Sequence, residues 1–144
     1  MTPQFKMALG EELGEGRGKI TTLRVLSDGK IEVSQQGTGK LLGSEIISDV
    51  ATYWTVMRPN GTAYGEGQQA LMSGDGGSAV YKGSGVGKPI GQGSSGGGWK
   101  YAVVGAFQTV TSQKWGRLFD ACTVEEYDVD QNQNYHWKMW EWKY

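Results

Sequence analysis

Cysteine occurs once in this chain, at Cys122, and histidine once, at His136. One thiol excludes an intrachain disulfide framework and a cysteine-only metal site. One imidazole leaves no HxH or HxxxH pair, so a zinc centre would have to be filled from carboxylates. We therefore expect no metal and no cofactor. An excess of charge is missing too: 14 basic residues stand against 15 acidic ones. With no overall field, neither nucleic acid nor an acidic membrane surface is an expected partner. No apolar run approaches the roughly 18 residues that a spanning helix needs. The opening MTPQFKMALGEELGEG has no basic region leading into an apolar core, so no signal peptide is expected and a reducing cytoplasm is the natural location. Asn60-Gly61-Thr62 matches a glycosylation sequon but reads better as a turn. No catalytic motif of high specificity is present.

Glycine is what the chain has in abundance, 24 of 144 residues, while hydrophobic residues remain at 38%. There is no collagen-like triplet period, and only three prolines. A turn-rich all-β domain fits this better than disorder. The length reads as one domain, 1–144, with 1–12 as a helical or extended lead-in. Ser73-Gly74-Asp75-Gly76-Gly77 is a turn cluster between two alternating runs. Folding about Asp75-Gly76 sets Gly65 and Gly67 roughly opposite Gly83, Gly85 and Gly87. Glycines inside strands mark sharp bends or close backbone approach, as at barrel corners.

The remaining strands follow in order. Leu13 to Leu26 is the first, and Asp28-Gly29 predicts a primed two-residue turn into KIEVSQQGTGKLLG. Ser48-Asp49 reads as a brief turn or bulge, and Val50 to Arg58 as the third strand. Pro59-Asn60-Gly61 closes it. After the central hairpin, residues 91–98 form a glycine/serine loop, either a lid or a long connection. Trp99 to Val110 is the most apolar strand, and its pattern asks for both faces to be covered, which predicts a homo-oligomer. Ser112 to Gly116 turns the chain into RLFDACTVEEYDV, and Tyr135 to Tyr144 forms the last strand. The expectation is an all-β, eight-stranded antiparallel, mostly up-and-down barrel, the size at which a barrel fills itself or holds one ligand.

Two phosphate-loop imitations fail on mechanism. Around Gly83-Ser84-Gly85-Val86-Gly87-Lys88, Lys82 stands where the first glycine belongs and Pro89 where the hydroxyl residue belongs. Gly91 to Gly96 fits GxGxxG literally, but a strand rather than a helix follows, so no helix dipole meets a phosphate. A hairpin turning about Gln131-Asn132 sets Cys122 opposite Glu141 and His136 opposite Tyr127. Those pairs lie on opposite faces, so a Cys–His dyad is not expected; one residue of slip exchanges the faces.

A carboxylate among apolar walls has a raised pKa and can donate or accept a proton. Glu141, between Trp140 and Trp142, and Glu66, between Gly65 and Gly67, are the candidates, with solvated outer-face residues as the plain alternative. The aromatic residues Tyr53, Trp54, Tyr101, Phe107, Trp137 and Trp140 are the candidate ligand walls.

The succession GTGKLLG, GTAYGEG, KGSGVGK and GAFQTVTSQKWGRL resembles the allene oxide cyclase-like barrels, among their small prokaryotic members, over roughly Gly14 to Trp142. The resemblance implies an eight-stranded barrel, often oligomeric, with an internal apolar cavity. In the plant enzymes of that type the cavity holds an oxygenated fatty acid. No family catalytic position maps onto this chain, so cyclase activity does not carry over. The expected function is binding of a small apolar or amphipathic molecule in the barrel. Alternatives are an isomerase or cyclase acting on such a molecule, and a filled barrel acting as an oligomeric structural protein.

Overall fold

A computed structural model describes residues 6–91 and 97–144. Eight antiparallel strands run in chain order: β1 (Ala8–Val25), β2 (Ile31–Leu41), β3 (Ser44–Met57), β4 (Ala63–Ser73), β5 (Ser78–Pro89), β6 (Trp99–Val110), β7 (Cys122–Val129) and β8 (Asn134–Lys143). Each pairs with its sequence neighbours, and β1 pairs with β8, which closes an up-and-down barrel. The segment read as a lead-in is partly strand, because β1 begins at Ala8 and its early residues pair with the end of β8.

Four of the hairpin turns share one design. At Leu26–Lys30, Arg58–Thr62, Ser73–Gly77 and Asp130–Asn134 the first residue's N–H bonds the fifth residue's carbonyl, enclosing three loop residues. The third loop residue has positive φ: Gly29 (89°), Gly61 (86°), Gly76 (85°) and, without glycine's freedom, Gln133 (66°). This is the turn with a bulge, one residue longer than the primed turn predicted at Asp28-Gly29. Its middle residue explains the preference. Asp28, Asn60 and Asp75 each accept the backbone N–H two positions on, at 3.1, 3.1 and 2.8 Å, holding the loop open by that one residue. The two-residue turn with both central φ positive lies instead at Leu42-Gly43, and Ser48-Asp49 lies within β3 beside an irregularity in its pairing with β4.

The extra loop residue also moves the last hairpin. Cys122 pairs with Trp142, Tyr127 with Trp137 and Asp128 with His136. The register differs by one from a turn about Gln131-Asn132, so the faces exchange. Thr123, Glu125, Tyr127, Tyr135, Trp137 and Met139 point inward. Cys122 and His136 share the outer face but sit at opposite ends of the hairpin, where His136 Nε2 lies 3.1 Å from Glu15 Oε2.

One barrel end is stoppered. Where a turn and the start of a strand were expected, Gln113–Asp120 forms a 3-10 helix. Trp115 and Leu118 are three apart, which is one turn of such a helix, so both face the barrel and both are fully buried. The Trp115 indole N–H donates to the Leu41 carbonyl at 2.9 Å. Leu13, Leu41, Ile46, Leu71, Phe107 and Met139 pack in the same core.

The glycine surplus has a second use beyond turns. Gly16 pairs across the sheet with Trp137, and a Cβ there would come 2.5 Å from the indole nitrogen. Gly87 pairs likewise with Tyr101, whose ring would lie 2.6 Å from such a Cβ. Large inward rings are thus laid over bare backbone on the next strand, and this lets a narrow barrel carry many aromatics.

Candidate functional site

Beyond the core around the stopper, the interior turns polar. Asp49 on β3 is fully buried. Its Oδ2 accepts from the Trp137 indole N–H (2.8 Å) and the Tyr135 hydroxyl (3.0 Å), and its Oδ1 from the Gln69 amide (2.7 Å). Burial pushes this carboxyl above the ordinary range, while the three donors pull it back. The Tyr127 hydroxyl donates to Gln35 Oε1 and shares a 3.2 Å hydrogen bond with the Tyr53 hydroxyl. Tyr81 pairs with Thr123 (2.9 Å) and Tyr101 with Thr55 (2.9 Å).

Against this network lies a cavity of about 80 Å3. Its walls include Tyr53, Tyr101, Tyr127 and Trp137, and the bare backbone of Gly65, Gly67, Gly83 and Gly85. The glycine sets read as opposed in the sequence pair directly, Gly65 with Gly85 and Gly67 with Gly83, and leave the space that side chains would fill. Glu125 also lines the cavity and is only 9% exposed. Its pKa is pushed up to about 8, first by burial and then by the charge of Asp49, with no hydrogen bond from a described residue to offset either. Near neutral pH it carries a proton and can donate it inward.

The sequence-predicted residues divide by face. Tyr53, Tyr101 and Trp137 line the cavity. Phe107 is buried against Tyr81, ring centroids 5.1 Å apart, within the core that the stopper joins. Trp54 and Trp140 lie on the outer face, each beneath a lysine: Lys30 at 4.4 Å and Lys138 at 5.7 Å from the ring centres. Glu66 is exposed, accepts from the Tyr64 hydroxyl at 2.7 Å, and also borders the cavity between Gly65 and Gly67. Glu141 pairs in register with Thr123, and its carboxylate lies 3.6 Å from Arg117 of the 3-10 helix, which also holds Glu11. Glu66 thus borders the cavity without being buried, and Glu141 sits beside Arg117.

Asp49 and Glu125 escaped the sequence reading. Parity carries the signal for Glu125, since Thr123, Glu125 and Tyr127 alternate along one strand. Among the described residues no group of three or more His, Cys, Asp or Glu is placed to hold a metal ion. No helix among them is long and apolar enough to cross a membrane. The 91–98 loop considered as a lid includes residues 92–96, which lie outside the described residues. A wider depression of about 600 Å3 lies outside the same wall, bordered by Glu32, Trp54, Lys82 and Gln108. It shares Tyr53, Glu66, Gly67 and Gly83 with the cavity wall and is as open as the cavity, and Lys82 and Gln108 are exposed.

No protein-family model matches the chain, and no curated protein matches it. Solved structures do. A protein of unknown function from Clostridium acetobutylicum superposes with a TM-score of 0.78 at 12% identity, covering 98% of this chain and all (100%) of that one. A β-barrel-like protein from Acinetobacter baumannii gives 0.75 at 12% identity, over 99% of this chain and 100% of the other. A conserved protein of unknown function from Rhodopseudomonas palustris gives 0.71 at 12% identity, over 97% and 99%. At such identities the likeness is one of fold: this chain is built as these small closed barrels are.

Proposed function

We propose that the protein binds a small amphipathic molecule inside the barrel, between Tyr53, Tyr101, Tyr127 and Trp137, with Glu125 as the polar anchor. Glu125 is the observation that carries this. Its carboxyl is desolvated enough to raise its pKa and receives no hydrogen bond from a described residue. Yet its oxygens are not sealed from the cavity, so a polar group of a ligand can reach them. A desolvated acid facing a cavity is what a binding site looks like. The volume limits the occupant. A fatty-acid chain would need a pocket of about 300 Å3 or more, so kinship with the allene oxide cyclase-like barrels, which the closed eight-stranded architecture supports, does not bring their ligand with it.

A second reading rests on the same side chain. A carboxyl that titrates at about 8 can take up and return a proton near neutral pH, as an isomerase requires. Association of copies is part of the proposal as well, supported by the outer face of β6, where Val104 is 55% exposed beside exposed Ala102 and Ala106. The exposed thiol of Cys122 is compatible with the reducing cytoplasm we infer.

Native mass spectrometry of the purified protein reads ligand and oligomer together. A small mass retained under gentle conditions, and absent from a Glu125→Gln variant, is the expected result. An empty wild-type barrel that binds nothing in a small-molecule thermal-shift screen, and is stabilised by Glu125→Leu, would leave a filled interaction barrel instead. Turnover lost in Glu125→Gln with binding retained would favour the isomerase.

A further inference from the structure

We infer that the occupant of the cavity is a small organic cation of the alkylammonium class, held by Glu125 as counter-ion and by the tyrosine rings as walls. This rests on the reading of the cavity as a binding site and adds the sign of the ligand's charge.

Sign is the first argument. Glu125 lines the cavity, Asp49 lies near enough to raise its pKa, and no described lining residue is lysine, arginine or histidine. The field inside is therefore negative from Asp49, and more so once Glu125 ionises, with no cation among the described lining residues to balance it. Asp49 is already saturated by three donors, which leaves Glu125 to meet a ligand.

The walls make the second argument. Tyr53, Tyr101 and Tyr127 pack mutually edge to face, with ring centroids 6.2, 5.5 and 5.9 Å apart. Aromatic enclosures of this kind attract ammonium groups through the negative faces of the rings. Volume is the third. At about 80 Å3 the cavity is smaller than one of roughly 150 Å3 that takes benzene, so the cation is compact.

The titration of Glu125 makes the inference testable by the direction of a pH dependence. To pair with a cation, Glu125 must give up its proton. To hold a neutral carbonyl or alcohol oxygen, it must keep it. The other titratable groups that couple to its charge are Asp49 from β3, Tyr81 from β5 and Tyr127 on β7 itself. Burial holds both hydroxyls far above neutrality, so they stay uncharged throughout. Gln35, Gln69 and Val103, from β2, β4 and β6, do not titrate, nor does Trp137 from β8.

The experiment is calorimetric titration of the full chain with methylammonium, ethylammonium and the neutral ethanol, between about pH 6 and pH 9. Repetition in buffers of different ionisation enthalpy counts the protons released. We expect the cations to bind, with affinity rising about tenfold per pH unit and levelling above about pH 8. At pH 7 roughly one proton should leave per cation bound. Glu125→Gln should abolish both the proton release and the pH slope; if that variant does not fold, the wild-type proton count decides. Equal or tighter binding of ethanol, or affinity that falls above pH 8, overturns the cation while keeping the binding site. Failure of every probe at every pH, with an empty barrel in the native spectrum, overturns the binding site itself.

Discussion

Glu125 ties the barrel's stability to pH in a direction opposite to that of a surface ion pair. Its folded pKa of about 8 lies above the 4.5 of an unperturbed glutamate. Between those values the native state keeps a proton that the unfolded chain has released. The contribution is therefore complete below about pH 4.5 and is lost as pH rises through about 8, by roughly 4 to 5 kcal/mol. Asp49, also raised, acts in the same sense. The exposed carboxylates held low, Glu15, Asp28, Asp75 and Asp130, lose their contributions only at more acid pH. Urea midpoints measured from pH 5 to 9 should decline in the wild type and flatten in Glu125→Gln; an equally steep decline in the variant would refute this account. Gly16→Ala tests the other half of the interior. The added methyl would displace the indole whose N–H serves Asp49, so a loss of about 3 kcal/mol or more is expected in chemical denaturation. Asp49 was hidden because Ser48-Asp49 read as a turn or bulge, and Glu125 for a different reason. A single Asp or Glu in an alternating strand has the same composition whether its face is wet or dry, and only the register, one residue from that assumed, settles which.

At the scale of elements, the strands were legible because alternation and Asx-Gly turns are local signals. The 3-10 helix was not, because one apolar pair, Trp115 and Leu118, over eight residues is too little periodicity to mark a helix of any kind. What makes it a helix is tertiary: two apolar side chains fill the open barrel end. Trp115→Ala should cost about 3 to 5 kcal/mol and admit an apolar dye to that end, read by thermal melting and fluorescence. The turn between β7 and β8 invites the reverse change. Gln133 holds a positive φ that the three equivalent turns give to glycine, so Gln133→Gly should stabilise by roughly 0.5 to 1 kcal/mol. A loss on denaturation would mean that the Gln133 side chain does something more than tolerate its backbone. This turn misled the sequence reading, since three glutamine and asparagine residues between Asp130 and Asn134 mark a loop without fixing its length.

Among the described residues the whole barrel leaves no sheet edge, because β8 returns to β1 along Lys143 to Asn134. A chain ending before Asn134 would expose two long edges, on β1 and β7, and strip Asp49 of two donors. We expect it to lack near-ultraviolet circular dichroism and to aggregate, whereas a soluble, cooperatively melting product would show that the seam is dispensable. The separation between Asp49 and Trp137, 88 residues, has a meaning during synthesis. A ribosome adding about 5 to 20 residues per second makes the carboxylate between roughly 4 and 18 s before the indole that will hold it. For that interval the nascent chain carries an acid it cannot bury, which keeps the half-made barrel open to water until its last strand emerges.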